Sequence, residues 1–389
     1  MNTKRYIRSH LISLTLLPMV LGLSMTSCNQ NHEQNDASHV SVTSVKHTDV
    51  KRQSIGNCWL YAVASWMESL KLNDDETFDV SESYWTYWDW FNKLRNGSNE
   101  LQTGGNWSLA KRIINQRGWV KEGEFIPEET DAQMSQRQKC AEDMVNAELE
   151  EGGRLFNDRS EETLYTVLNE AFTCGSDIKV DGKKTWEDVA RSTDETLLRL
   201  PGAEEPQSMR AMLNAWRSTY SPYSRINSLK RLASVQTLAN FKLMEQRIKR
   251  ALNDNMPVVL SFFVSFNAVD EDGKFNLNSL AEKGDIGSSG GHMVVMHDYT
   301  VDNVPGLGRL GEGDMDFESK AAALEGDLDY IVNKNSWGTN RWDRPWIGDG
   351  YSRITWDYLT GTYFKAPEDE GQGGSFRPFL TGVVLPPGY

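Results

Sequence analysis

The 389-residue chain is poor in cysteine and histidine, with four and six residues, and its 41 basic residues are outnumbered by 55 acidic ones. Four cysteines are too few for the disulfide framework on which small secreted folds depend, and a chain of this length can build a core without one. The formal net charge of −14 argues against a nucleic-acid partner, because phosphate binding calls for a basic face. The apolar stretch from Leu11 to Leu23 is too short for a comfortable membrane span. What the chain does have is thirteen tryptophans and a composition 39% apolar and 10% aromatic, a globular rather than a disordered balance. Its length exceeds the roughly 100–200 residues of one domain, so two packed lobes or a core with a large insertion are expected.

Residues 1–27 read as a targeting signal, with Lys4, Arg5 and Arg8 as the basic region ahead of the apolar stretch. The following Leu23-Ser24-Met25-Thr26-Ser27-Cys28 resembles a bacterial lipobox, in which cleavage leaves Cys28 as a lipid-modified N-terminus. Ordinary secretory cleavage near Ser27 is the alternative. The chain is therefore expected in the bacterial cell envelope, lipid-anchored at the periplasmic or outer surface, or secreted if Cys28 is not lipidated. Loss of Lys4, Arg5 and Arg8 with no acidic residue moves the net charge from −14 to −17. Residues 28–48, polar and with little to bury, read as a flexible tether.

Beyond the tether, Trp59 to Leu70 runs without a breaker and predicts a buried helix. Cys58 then sits at a loop-to-helix junction, where unpaired N–H groups and the positive end of the helix dipole favour a thiolate. Helices are also expected over Ser81–Lys93 and Trp107–Arg117. Residues from about Pro127 to Asn253, charged and helix-favouring, read as an inserted helical section. From Met256 onward the runs 257–264, 293–301, 329–333, 351–355 and 379–385 predict strands, and the glycine-rich Asn303 to Gly326 reads as a surface loop. Cys140 and Cys174, both in the helical section, either pair in an oxidising compartment or stay as two separate thiols; the Cα distance that decides is not in the sequence.

Three segments carry chemistry together. Gln53-Ser54-Ile55-Gly56-Asn57-Cys58-Trp59 offers a nucleophile at a helix start, a glycine for the sharp turn and an upstream amide, Gln53, as an oxyanion donor. Gly290-Gly291-His292 opens an apolar strand and supplies a base, while His297, five residues on, points to the opposite face and reads as structural. Lys334-Asn335-Ser336-Trp337-Gly338 follows another strand, giving Asn335 as the group that orients the imidazole and Trp337 as a shield for that hydrogen bond.

Asn335-Ser336-Trp337-Gly338, then Trp342 and Gly350-Tyr351-Ser352-Arg353-Ile354, is similar to the active-site asparagine region of the papain family, and the Cys-Trp and His segments occur in that family's order. Phe78 to Asp89 and Gly104-Gly105-Asn106-Trp107 resemble most closely its bleomycin-hydrolase branch. The resemblance covers roughly 50–128 and 255–365. It implies an α+β, papain-like two-lobe fold: a helical lobe over 49–127 with the nucleophile, a helical insertion over 128–254, and a β-barrel-like lobe over 255–389 with the histidine and asparagine. It also implies a thiol peptidase acting on peptides or unfolded protein, with Cys58 attacking, His292 moving the proton, Asn335 steadying the imidazole, and no metal or cofactor. Gly104 and Gly105 would line the cleft, with Trp59 and Trp337 as further substrate contacts. Two departures stand out: Gln53 lies five residues before Cys58 where the family usually has six, with Asn57 as a possible substitute donor, and the C-terminal tail does not resemble the one that restricts bleomycin hydrolases to exopeptidase action. The alternatives are a catalytically silent lipoprotein that binds peptide or glycan, and an acyl-transferring transpeptidase or amidase; control by the insertion, or by the tail folded into the cleft, is a further expectation.

Overall fold

The computed structural model describes residues 44–389 apart from 73, 76, 128–130, 221–234, 314 and 366–374. The expected targeting signal, Cys28 and nearly all of the tether lie outside the described residues.

The apolar run after Cys58 forms helix α1 (Cys58–Lys71), buried on almost every side, as an all-round apolar helix must be. Helix α2 (Glu82–Arg95) starts where the Ser81 side chain accepts from the Tyr84 N–H, and α3 (Trp107–Arg117) starts where Asn106 accepts from the Leu109 N–H; each cap satisfies an N–H that the helix itself cannot. Trp66 of α1 meets Trp107 of α3 and Trp216 edge-on, with ring centres 5.1 and 5.0 Å apart, a favoured packing of aromatic quadrupoles. Helix α4 (Asp131–Leu149) follows, and Cys140 within it is disulfide-bonded to Cys174, with Cα atoms 5.8 Å apart. Of the two readings left open for these cysteines, the structure has the bonded one.

The strands are β1 (Leu197–Leu198), β2 (Gln207–Ser208), β3 (Arg217–Tyr220), β4 (Val258–Ser265), β5 (Lys274–Phe275), β6 (Ser289–Val304), β7 (Gly308–Leu310), β8 (Asp327–Lys334), β9 (Tyr351–Thr355), β10 (Thr362–Lys365), β11 (Ser375–Pro378) and β12 (Leu380–Leu385). The main sheet has the order β3-β12-β4-β6-β8-β9-β5, with β7 paired to β6. Its pairs are antiparallel except β5 with β9. The class is α+β. One hydrophobic core runs through helices and sheet, from Trp59 and Trp85 to Val294 and Val383.

Four expectations need correction. The β-rich part is not a barrel: the strand order ends in β3 on one side and β5 on the other, so the sheet stays open. The section between Pro127 and Asn253 is not purely helical, since it contains the β1–β2 pair and β3, which joins the main sheet beside β12. Residues 303–326 are not a plain loop; β6 continues to Val304, turns into β7, and a short helix occupies Phe317–Ala323. The described part of the tail does not enter a cleft, because β12 is an interior strand between β3 and β4.

Candidate active site

Cys58 is the first residue of α1, and Asn57 ahead of it makes no side-chain cap. The reason lies in α2 and α4: the Asn57 amide donates to Thr86 Oγ1 at 3.0 Å and to Gln138 Oε1 at 2.9 Å. With its cap turned inward, α1 leaves its first N–H groups free, and the backbone N–H groups of Met293, Trp59 and Cys58 favour a charged Cys58 sulfur. Asn57 therefore cannot replace Gln53 as an oxyanion donor; both amide protons are spent, and the residue is buried.

Met293 follows His292, so β6 brings the imidazole's own backbone against the nucleophile. His292 lies inside β6 rather than opening it, paired with Phe262 of β4. Its Nε2 is 2.8 Å from Asn335 Oδ1, which also accepts from the Ser336 N–H at 2.8 Å. That second donor identifies the atom as oxygen, so Nε2 carries the proton and Nδ1 keeps the lone pair. Trp337 stacks on the imidazole at 4.6 Å and 20° and keeps water from the His292–Asn335 bond, which strengthens it. The thiol and the imidazole are not hydrogen-bonded to each other among the described residues.

Electrostatics correct the expectation of a resting thiolate. Burial pushes the Cys58 thiol up to about 11 against the pull of the three N–H groups. Burial likewise pulls His292 down to about 4, with the Asn335 hydrogen bond opposing. The resting pair is thus thiol and neutral imidazole. An unfolded histidine takes up a proton near pH 6.5, whereas folded His292 does so only near 4, so folding stability drops as pH falls through that window, by about 3 kcal/mol. Urea unfolding of the His292→Gln chain, set against the wild type between pH 7 and 4, is expected to lack that part of the pH dependence.

The strap 51–53 ties the two halves of the site. Gln53 N–H donates to Ser336 O at 2.8 Å, Gly338 N–H to Lys51 O at 3.1 Å, and Arg52 bridges Trp337. The Gln53 side chain accepts from Ser336 Oγ and donates one proton to Ile55 O at 2.8 Å, leaving its second N–H available.

Trp59 is fully buried and reaches no substrate directly. Its indole N–H holds Thr103 O at 2.9 Å, and its ring fills the space where a side chain on Gly105 would sit, with a Cβ there only 2.3 Å from Cε2. Gly104 faces open space. Trp59 therefore supports the Thr103–Gly105 loop from below, and Trp337 serves His292 rather than standing free. Trp342, part of the family resemblance, is 93% exposed; it is Trp346 that packs edge-on against Trp337 at 5.8 Å. His297 donates from Nδ1 to Val45 O at 2.8 Å, apart from the site.

Sequence reasoning missed a buried charge cluster behind these residues. Lys51 Nζ meets Glu68 at 3.3 Å, Glu82 at 3.1 Å, Asp79 at 2.5 Å and Glu122 at 3.6 Å. Lys334, the residue before Asn335, lies 3.9 Å from Glu68 Oε2. The available signal was Glu68 itself, the lone carboxylate in the apolar run of α1.

No protein-family model matches the chain, and no curated protein matches it. Among solved structures, PepW from Lactobacillus rhamnosis HN001 (DR20) is similar with a TM-score of 0.46 and 12% identity, over 90% of this chain and 82% of PepW. Xylellain, a cysteine protease from Xylella fastidiosa, is similar with a TM-score of 0.39 and 13% identity, over 91% of this chain and 88% of xylellain. Neither likeness carries a function across at those values, which leaves the chemistry to be argued from Cys58, His292 and Asn335.

Proposed function

We propose that the chain is a papain-like cysteine peptidase that hydrolyses peptide bonds through Cys58, His292 and Asn335. The Sγ proton passes to His292 Nδ1 as sulfur attacks the carbonyl carbon, and a C–S bond forms. The oxyanion meets the Cys58 N–H and the second N–H of Gln53. As the C–N bond breaks, Nδ1–H protonates the leaving amine. Water then attacks the thioester, giving its proton to Nδ1, and sulfur leaves and takes that proton back.

The observation that carries this reading is the Asn335 Oδ1–His292 Nε2 bond of 2.8 Å beneath a stacked Trp337, on a strand whose next N–H favours a charged Cys58 sulfur. Such an arrangement fixes the tautomer a base needs and has no role in a surface that only binds. The N-terminal segment adds a lipid anchor at Cys28 and a place in the bacterial envelope, to be checked by the mass of the mature N-terminus.

The test is a library of blocked dipeptides with a fluorogenic amide leaving group. Hydrolysis is expected, and it is expected to stop when iodoacetamide has modified Cys58, located by mass spectrometry. Peptide binding without turnover identifies a silent scaffold and ends the proposal. Products carrying an added amine in place of water identify an acyl transferase.

A further inference from the structure

The leaving amine takes its proton from His292, so the departing part of the substrate must cross the imidazole and the Trp337 ring stacked on it. That edge of the site is lined by arginines, in a chain with a net charge of −14. The Arg344 guanidinium lies 4.9 Å from the centre of the Phe266 ring and 5.9 Å from that of Trp337. The Arg52 side chain runs along Gly338, where an added Cβ would be 3.3 Å from its own Cβ. Arg341 reaches Trp337 O at 3.4 Å and is paired with Asp343.

Only one of the three cations is neutralised. Among the described residues neither Arg52 nor Arg344 has a carboxylate hydrogen-bonded or ion-paired to it, while Arg309, Arg341 and Arg353 all do. Arg344 is half-buried, and its hold on its proton is weakened first by that burial, then by the charges of Arg341 and Arg52, with Asp343 opposing. Gathering like charges against an aromatic floor is unfavourable unless an anion arrives to share them. A guanidinium already oriented by ring contacts loses little freedom on binding a carboxylate, and its fork matches the two oxygens.

We propose that the Trp337 side of the site binds a carboxylate carried by the departing part of the peptide, with Arg344 as the group that receives it and Arg52 and Arg341 beside it. This rests on the peptidase reading and names a substrate class for it. The carboxylate is either the free C-terminus of a substrate cut close to its end or an acidic side chain shortly after the cleaved bond.

The experiment takes one peptide that the wild-type chain cleaves and remakes the two residues after the bond. One pair ends in a free carboxylate or a carboxamide. Another pair is amidated and carries Glu or Gln. The readout is the ratio of kcat/KM for acid over neutral partner within one enzyme, which cancels any general loss of activity or of folded protein. A ratio of at least about tenfold is expected in one pair for the wild type, and that pair identifies the source of the carboxylate. The ratio is expected to approach one in Arg344→Gln, to persist in part in Arg344→Lys, and to shrink with added salt. A ratio near one in both wild-type pairs, or one that survives in the Arg344→Gln, Arg52→Gln double variant, overturns the inference and leaves the peptidase reading intact. Failure of the wild type to cleave any peptide removes both.

Discussion

Replacing Cys58 with alanine is expected to lower kcat/KM for any peptide the wild-type chain cleaves by at least about 10⁴-fold, while the thermal unfolding curve stays close to that of the wild type. The two halves of this result have separate causes. Without sulfur no thioester forms, and what remains is binding and the oxyanion donors. The fold, by contrast, loses only one small, nearly buried atom at the start of α1. Circular dichroism melts beside steady-state rates on the same preparation give both halves. Rates within tenfold of the wild type would mean that hydrolysis takes place without this sulfur.

Glu68→Ala is expected to cost stability instead, about 3–5 kcal/mol in urea unfolding. Burial raises the Glu68 carboxyl, but Lys51, then Lys334, and the hydrogen bonds from Thr48 and Val80 bring it down to about 2. It therefore stays ionised in the interior and is the carboxylate that faces both lysines. Removing it leaves Lys334 Nζ with Thr48 Oγ1 at 2.7 Å and, among the described residues, no carboxylate ion-paired to it, and it strips the Val80 N–H of its acceptor at 3.1 Å. Lys51 keeps Glu82, Asp79 and Glu122, so Lys334 carries most of the loss. Glu68→Gln, which retains an acceptor without the charge, is expected to fall between the two. A Glu68→Ala chain within 1 kcal/mol of the wild type would show that the cluster adds nothing net.

Local patterns were legible in the sequence. The breaker-free run after Cys58 gave α1, the polar residues Ser81 and Asn106 stand at helix starts, and the β-branched runs from Pro257 onward lie in β4, β6, β8, β9 and β12. The pairing of His292 with Asn335 was also within reach, because His292 opens one apolar strand pattern, Asn335 follows another, and the two strands neighbour each other in the sheet. Long-range placement was not. Nothing local distinguishes β3 from the helices around it, and its strand form is set by β12, far along the chain. Periodicity reports which face is apolar but not which partner covers it, so nothing in the pattern tells that Trp346 rather than Trp342 packs on Trp337. The Asn57 side chain turns inward because Gln138 arrives from α4, and the thiol is protonated at rest because packing excludes water. Both depend on residues that the motif does not contain.

The order of strands has a bearing on when this chemistry can begin. Cys58 is made early, yet the neighbour that holds β4 on its far side, β12, is made more than three hundred residues later. A ladder closed over that separation forms slowly and late. During synthesis, and through any passage across a membrane as an extended chain, the sulfur would have no aligned base, and the nascent polypeptide would be harmless to whatever surrounds it.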